Sequence, residues 1–241
     1  MINGTKEKMK MLKLHGMIRI YETLINSCDY SGLTIDEALG SMIDAEWDER
    51  YNKRLTRLIH NAGLKFQAAL EHIDYRESRN LDKKMIIQLA PCSWIEQGKN
   101  IVLTGSTGTG KSYLACALAK QACVHEYKTK YFNCLNYFNE LKFSKAEGTY
   151  FKKIREAKKA DLIILDDFGL EVLDQQSRLI LLEILEARYG GKSTIISSQL
   201  PFEKWHDIIG EPTIADAVCD RIIHTAFHIK LEGDTMRRIL K

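Results

Sequence analysis

A long uninterrupted apolar segment is absent from this sequence. Hydrophobic residues make up 45% of the 241 residues, but no apolar run approaches the roughly 18 residues that a membrane-spanning helix needs. Residues 1–13 alternate lysine with methionine and leucine, so the continuous apolar centre of a secretion signal is absent as well. These absences argue against a membrane protein and a secreted protein, and they predict a cytoplasmic location.

Closely spaced cysteines are also missing. The six cysteines are scattered along the chain without any C-x-x-C pair, and most of them stand within apolar patterns. A zinc site or a disulfide framework is therefore not expected. We predict that the cysteines are reduced core residues.

An excess of charge of one sign is missing too. The 35 lysines and arginines stand against 32 aspartates and glutamates, and the formal net charge of +3 does not by itself indicate a nucleic-acid partner. Any such partner has to be argued from local clusters of charge. The length accommodates one α/β domain of roughly 150 residues with a smaller attachment.

Helical periodicity dominates the first third of the chain. Apolar residues from Leu14 to Ile25 share one helical face, and the capping box at residues 34–37 starts a longer helix that is predicted to end at Gly63. Residues 76–80 are polar and aperiodic. We therefore predict a small all-helical domain over residues 1–75 and a second domain over residues 76–241.

From Asn100 onwards, short apolar runs alternate with helical stretches, which is typical of a parallel sheet built from βα units. The predicted strands are Ile101–Thr104, Lys130–Cys134, Leu162–Leu165, Thr194–Ser197 and Ala226–Leu231. The predicted helices of this domain are Lys111–Glu126, Asn136–Ser144, Thr149–Ala157, Asp174–Tyr189 and Thr213–Ile223.

A complete phosphate-binding loop stands between the first of these strands and the first of these helices. The loop consists of Gly105, Ser106, Thr107, Gly108, Thr109, Gly110, Lys111 and Ser112, and Tyr113 is the next nucleotide-binding candidate. Glycines let backbone N–H groups surround phosphate oxygens, Lys111 reaches the β and γ phosphates, and the Ser112 hydroxyl ligates Mg²⁺. A chance Gly-rich turn of this pattern is expected in on the order of 1% of chains of this length. The motif, in its strand-to-helix context, predicts ATP binding.

Two carboxylates follow the third predicted strand. Asp166 is the candidate that holds Mg²⁺, and Asp167 is the candidate that orients or deprotonates the attacking water. An apolar strand followed by an acidic turn is the alternative interpretation. A complete phosphate loop upstream disfavours it, because ligands bind at the carboxyl ends of parallel strands.

With these motifs, residues 81–238 resemble an AAA+ ATPase of the DnaA/DnaC initiator and loader group, and they are most similar to IstB-type transposition helper proteins. Residues 12–17 and the helix around residues 46–57 resemble the IstB helical domain, so the resemblance covers nearly the whole chain. It implies a P-loop AAA+ parallel sheet core flanked by helices, with a small N-terminal all-helical domain. Because the chain ends at Lys241, the resemblance also implies a truncated C-terminal lid.

The resemblance assigns three further positions around the nucleotide. Gln199 matches the sensor-1 residue, Arg221 matches the arginine finger that reaches the ATP of a neighbouring subunit, and Arg237 matches the sensor-2 residue. Asp167 departs from the pattern, since most AAA+ enzymes carry a glutamate there. The shorter side chain leaves the hydrolysis rate open.

Two basic clusters are the candidate DNA-binding residues. The candidates are Arg50, Lys53, Arg54 and Arg57 in a first cluster that also contains Lys65, and Lys142, Lys145, Lys152, Lys153 and Arg155 in a second cluster that also contains Lys158 and Lys159. Phosphate neutralisation by such side chains gives sequence-independent, salt-sensitive binding. Solvated helix faces are the alternative interpretation, and the resemblance favours double-stranded DNA.

The resemblance as a whole implies an ATP- and Mg²⁺-dependent ATPase that assembles on target DNA and recruits or activates a partner transposase. It also implies a homo-oligomer with ATP at the subunit interfaces. A DnaC-like replicative helicase loader is the nearest alternative. A nucleotide switch that does not hydrolyse ATP is another, but the presence of Asp166, Asp167 and Arg221 argues against it.

Overall fold

The computed structural model describes residues 2–26, 32–223 and 226–236. The chain divides into two compact units, which comprise residues 1–57 and 58–241. Among the described residues, no helix combines the length and the apolar character that crossing a membrane requires. The five described cysteines are buried and unpaired, as predicted, and Cys28 lies outside the described residues.

Helices build the N-terminal unit. They are α1 (Ile2–Met11), α2 (His15–Asn26) and α3 (Ile35–Ala62), the last of which continues into the second unit. The predicted capping box at the start of α3 is confirmed: the Glu37 backbone N–H donates to Thr34 Oγ1 at 3.2 Å, and the Thr34 N–H donates to the Glu37 carboxylate at 2.8 Å.

A close crossing joins α2 to α3. Gly16 lies at the crossing, where a Cβ atom would collide with the backbone of Ala45 and Glu46. The buried Glu46 carboxylate accepts hydrogen bonds from the backbone N–H of Gly16 at 2.8 Å and of Met17 at 3.4 Å. A negative charge is thereby placed at the N-terminal end of α2, where the helix dipole favours it.

A five-stranded parallel sheet forms the centre of the second unit. Its strands are β1 (Asn100–Thr104), β2 (Thr129–Asn133), β3 (Leu162–Phe168), β4 (Ser193–Ser198) and β5 (Ala226–Lys230). Their order across the sheet is β2-β3-β4-β1-β5. All five predicted strands and the α/β class are thus confirmed.

Helices cover the sheet and connect its strands. They are α4 (Lys83–Leu89), α5 (Ser93–Glu96), α6 (Lys111–Val124), α7 (Cys134–Ala146), α8 (Tyr150–Lys159), α9 (Gln175–Glu186), α10 (Trp205–Ile209) and α11 (Pro212–Ile223). Successive residues of β3 face opposite sides, so that Ile163 and Leu165 belong to one apolar core while Leu162 and Ile164 belong to the other. Burial on both faces explains the continuous apolar runs of the strands.

Residues 58–75 belong to the second compact unit, whereas the predicted domain boundary lies between residues 75 and 76. The reason is packing: Ala68 and Ile73 are buried in the core that contains α6, and Leu64 and Leu70 pack against it. The chain therefore divides into its compact units between residues 57 and 58. A functional boundary at residues 75 and 76 stays a prediction.

Candidate nucleotide-binding site

Three sheet strands end at the candidate site. The phosphate loop follows β1, the two aspartates stand at the end of β3, and Gln199 follows β4. Because β4 lies between β3 and β1 and all three run parallel, their carboxyl ends meet at one edge of the sheet. Residues that are far apart in the sequence are brought together there.

The phosphate loop needs glycine for space as well as for conformation. Gly105 has φ 144° and Gly108 has φ 87°. A Cβ atom would meet the Leu231 carbonyl at the first position and the Thr235 side chain at the second. The loop is therefore closely packed, and side chains are excluded from it.

Lys111 is the first residue of α6, and its side chain folds back over the loop. The buried ammonium group donates to the carbonyl oxygens of Gly105 at 2.7 Å and Ser106 at 2.8 Å. The first backbone N–H groups of a helix have no acceptor within the helix itself, and α6 begins directly after the loop. Helix start and lysine together make a site for an anion.

Asp166 is fully buried at the end of β3 and is surrounded by hydroxyl groups. Its Oδ1 accepts hydrogen bonds from Ser112 Oγ at 2.8 Å and from Ser197 Oγ, and its Oδ2 accepts one from the Tyr131 hydroxyl. Burial, together with this bond to Asp166, raises the pKa of Tyr131, so the phenol remains a hydrogen-bond donor at neutral pH.

The Ser112 and Asp166 oxygens suit Mg²⁺. Hydroxyl and carboxylate oxygens are the hard donors that this ion prefers, and Mg²⁺ is usually held by one or two protein groups together with substrate phosphates and waters. The described part of the chain contains no group of three or more His, Cys, Asp or Glu residues that could hold a metal without such additional ligands. The residues present therefore fit a metal that arrives with a nucleotide.

Asp167 stands in an irregular part of the sheet. The register between β3 and β4 shifts between Leu165 and Phe168, and Asp167 adopts φ 59°. Its backbone N–H donates to Ser197 Oγ at 3.1 Å, and its Oδ2 accepts from Asn133 Nδ2 at 3.1 Å. Bulges of this kind redirect side chains next to active sites, and here β2 and β4 both hold the redirected aspartate.

Gln199 reaches the phosphate loop directly. Its Oε1 accepts a hydrogen bond of 2.6 Å from Thr107 Oγ1. Tyr113, the first residue after the loop motif, packs its ring against Phe66 at a centroid distance of 6.3 Å. Arg237 lies outside the described residues.

Arg221 lies away from the phosphate loop of its own chain. Its carbonyl accepts a hydrogen bond of 3.1 Å from Asn100 Nδ2, at the start of β1, whereas the loop follows the end of β1. A strand of this length separates the two places by about 16 Å. The guanidinium group forms an ion pair with Glu186 of α9 and lies over the Tyr189 ring.

Arg79 supports the loop from outside and was missed by the sequence analysis. Its buried guanidinium group donates to the Thr109 carbonyl and to the Asp74 carbonyl, both at 2.7 Å, and burial lowers its pKa. The Met236 backbone N–H donates to the Gly108 carbonyl at 2.9 Å. An arginine in a polar, aperiodic stretch carries no sequence signal for such a contact.

Ser197, Tyr131 and Asn133 were missed for a related reason, and Lys65 was interpreted as part of the first basic cluster and not as a partner of the aspartates. Each contacts Asp166 or Asp167 from another strand or from the segment after α3. A position at or next to a strand end could have marked Asn133 and Ser197, whereas Tyr131 lies in the middle of β2 and carries no such signal. No spacing rule relates Lys65 to the aspartates.

Of the five predicted DNA-binding residues on α7 and α8, two form ion pairs with carboxylates, two form none among the described residues, and one lies over an aromatic ring. Lys142 forms an ion pair with Asp174 and Lys153 with Glu140, both at 2.9 Å. Lys152 and Arg155 are exposed, and no ion pair involves either of them within the described ranges. The fifth, Lys145, lies over the Tyr150 ring at 5.0 Å.

On α3, acidic residues one turn earlier neutralise part of the predicted cluster. Arg50 pairs with Glu46 at 2.6 Å, and Lys53 pairs with Glu49 at 2.9 Å. Arg54 and Arg57 are exposed. The sequence segment after Arg50 contains no acid before Leu70, but the i−4 partners precede it.

Comparison with protein families identifies a match over most of the chain. Residues 7–241 match the family described as IstB-like ATP binding protein. A putative insertion sequence ATP-binding protein of Sinorhizobium fredii, y4pL, is 41% identical over 97% of this chain and 96% of its own length. The putative ATP-binding protein of insertion sequence IS1162 from Pseudomonas fluorescens is 39% identical over 83% of this chain and 87% of its own length.

Several solved structures have a fold similar to that of this chain. A crystal structure of DnaI covers 75% of this chain and 93% of its own, with a TM-score of 0.59 and 24% identity. AMPPCP-bound DnaA from Aquifex aeolicus covers 74% of this chain and 54% of its own, with a TM-score of 0.58 and 19% identity. At these identities the likeness concerns the fold, which is that of the AAA+ domains.

Proposed function

Because the chain belongs to the IstB-like ATP binding protein family, we propose that it is the ATP-dependent DNA-binding component of an insertion sequence, and that it recruits or activates a partner transposase on target DNA. Its family and its AAA+ fold identify it as an ATPase. The observation that supports the assignment most strongly is that the phosphate loop, the two aspartates and Gln199 lie together at one sheet edge.

Phosphate binding falls to the loop and Lys111. The loop N–H groups and the start of α6 surround the phosphates, and the Lys111 ammonium group exchanges its two loop carbonyls for phosphate oxygens. Ser112 and Asp166 would hold Mg²⁺, which neutralises the charge that develops on the phosphates. We assign Gln199, which accepts a hydrogen bond from Thr107, to the γ phosphate.

Water activation falls to Asp167. Its carboxylate orients the attacking water and accepts its proton. The hydrogen bond from Asn133 and the irregular backbone fix the direction of the carboxylate. Positioning of this kind lowers the barrier because little reorganisation remains to be done in the reaction.

The position of Arg221 is the argument for a homo-oligomer. It cannot serve the phosphates of its own chain, because it lies near the opposite end of β1. We assign it to the ATP of a neighbouring subunit, as an arginine finger supplied in trans. Nucleotide binding and assembly are then coupled, since each site needs two subunits.

Double-stranded DNA is the proposed polyanionic partner. Lys152 and Arg155 supply exposed positive charge that no carboxylate of the described residues neutralises. Contacts from such side chains to phosphates are independent of sequence and sensitive to salt. With a net charge of +3, one subunit offers few contacts, and we expect assembly with ATP to multiply them.

A replicative helicase loader is the second candidate. The likeness in fold to DnaI and to the DnaC helicase loader favours it. The relatives of 41% and 39% identity are named as insertion sequence proteins, and they favour the transposition role. The identity of the neighbouring gene distinguishes the two, because a transposase reading frame there favours the transposition role and its absence favours the loader.

The DNA-binding role can be tested by fluorescence anisotropy. Labelled duplexes of two unrelated sequences are titrated with the protein in the presence of Mg²⁺ and ATP, ADP or no nucleotide. We expect both duplexes to bind equally and only with ATP. The Lys111→Ala variant is the matched control and should not respond to ATP. Equal affinity with and without ATP, or no binding at all, would contradict the proposal.

A further inference from the structure

Lys65 bridges the two aspartates of the candidate site. Its Nζ atom lies 3.5 Å from Asp166 Oδ2 and 3.7 Å from Asp167 Oδ2. The Asp166 side chain is fully buried, so water screens little of the attraction between its carboxylate and a nearby cation. The lysine supplies that cation at the carboxylate pair to which we assign the metal and the attacking water.

The backbone around Lys65 is anchored, whereas its ammonium group can move. The Phe66 ring packs against Tyr113 of α6, and Leu64 packs against the core that contains α6. The Lys65 side chain is 41% exposed. A lysine stem has several rotatable bonds, so the ammonium group can leave the aspartates without displacing the segment that carries it.

We propose that the ammonium group of Lys65 competes with Mg²⁺ for the Asp166–Asp167 carboxylate pair. The inference rests on the proposed function. It adds Lys65, which lies outside the sequence motifs, to the proposed nucleotide site. Two cations that approach the same carboxylate oxygens repel each other, most strongly where burial reduces screening. Lys65 therefore positions the carboxylates and restrains metal loading, and it turns towards solvent when the metal–nucleotide complex binds.

Mg²⁺-dependent nucleotide binding tests the competition without measuring hydrolysis. A fluorescent, non-hydrolysable ATP analogue is titrated at increasing Mg²⁺ concentration. In Lys65→Met, which keeps most of the aliphatic stem, we expect the half-saturating Mg²⁺ concentration to fall by roughly 3- to 10-fold. Lys65→Arg should remain close to the wild type. Lys84→Met, which removes an exposed lysine of α4, is the matched control and should have no effect.

A second neutral variant, Lys65→Gln, must shift the Mg²⁺ dependence in the same direction. An unchanged half-saturating concentration in both neutral variants would overturn the competition. An increase would overturn it as well, because it would identify Lys65 as a phosphate ligand. If the wild type binds no nucleotide at any Mg²⁺ concentration, the nucleotide site itself fails, which is a distinguishable result.

Discussion

At the scale of single residues, Asp167 combines an unfavourable backbone conformation with fixed hydrogen bonds. A non-glycine residue at φ 59° is held in place only when its surroundings determine it. Ser197 and Asn133 provide those surroundings from two other strands. Strain of this kind is concentrated where the direction of a side chain matters for chemistry.

We predict that Asp167→Asn retains ATP binding and loses turnover by roughly 100-fold, because an amide can orient a water molecule but cannot accept its proton. Nucleotide titration and steady-state phosphate release measure the two effects separately. Glu171→Gln, in the exposed loop that follows, is the control and should hydrolyse ATP normally. Wild-type turnover in Asp167→Asn would place the base elsewhere.

The Asn133 side chain makes two hydrogen bonds that one substitution can separate. Its side chain caps α7 by accepting from the Asn136 N–H, and it also donates to Asp167. Asn133→Asp keeps the cap, since aspartate is an equally good N-cap residue, but it replaces the donor with a second carboxylate. We predict hydrolysis lowered by about tenfold, with unchanged thermal stability, because Asp167 loses its orientation. Unchanged hydrolysis would show that the bulge alone orients Asp167.

At the scale of elements, Glu46 determines how α2 meets α3. Burial would raise the pKa of this carboxyl, but hydrogen bonds from Arg50 and from the backbone of Gly16 and Met17 outweigh burial and lower it. A carboxyl whose pKa is lower in the folded state stabilises the fold above its unfolded pKa. That contribution is lost as the pH falls through the folded value.

We predict that Glu46→Gln destabilises the packing of α2 on α3 by about 2 kcal/mol at neutral pH, since a charged buried acceptor is lost. The difference from the wild type should shrink as the pH falls below the unfolded pKa of about 4.3. Hydrogen exchange of residues 15–26 in the full chain reports it. Glu49→Gln, which removes the exposed partner of Lys53, is the control; an equal loss there would contradict a special role of Glu46.

The helices α7 and α8 carry cations of two kinds, and we predict that they differ in DNA binding. Replacing Lys152 and Arg155 with alanine should weaken binding to all sequences and reduce the log–log salt slope by about 2, because each phosphate contact contributes roughly 0.9. Replacing Lys142 and Lys153, which already pair with Asp174 and Glu140, should reduce it by less. Equal slopes for the two double variants would contradict the proposed surface.

At the scale of the whole molecule, the role proposed for Arg221 requires a second chain, because its carbonyl lies at the start of β1 and the phosphate loop follows the end of β1. We predict that Arg221→Ala binds ATP but hydrolyses it roughly 1,000-fold more slowly, as expected for loss of an arginine finger. A mixture with Lys111→Ala should recover part of the activity. The mixed interface would combine an intact loop from one chain with an intact arginine from the other. Absence of recovery, with mixed oligomers demonstrated, would exclude the assignment in trans.

Much of the architecture could be predicted from the sequence. The five strands were predicted because parallel strands that are buried on both faces appear in the sequence as short apolar runs. The capping box located the start of α3 because its hydrogen bonds are local. Short helices such as α5 and α10 were not predicted, because four or five residues contain too little periodicity.

The phosphate loop and the two aspartates were determined by the sequence itself, since each depends on neighbouring residues that fold together locally. Only the tertiary structure decided what surrounds them. The strand order β2-β3-β4-β1-β5 brings Tyr131 and Ser197 to Asp166, and the path of the chain after α3 brings Lys65 there. These contacts join residues distant in sequence. They depend on how the strands cross over and pack, and no local pattern of the chain encodes them.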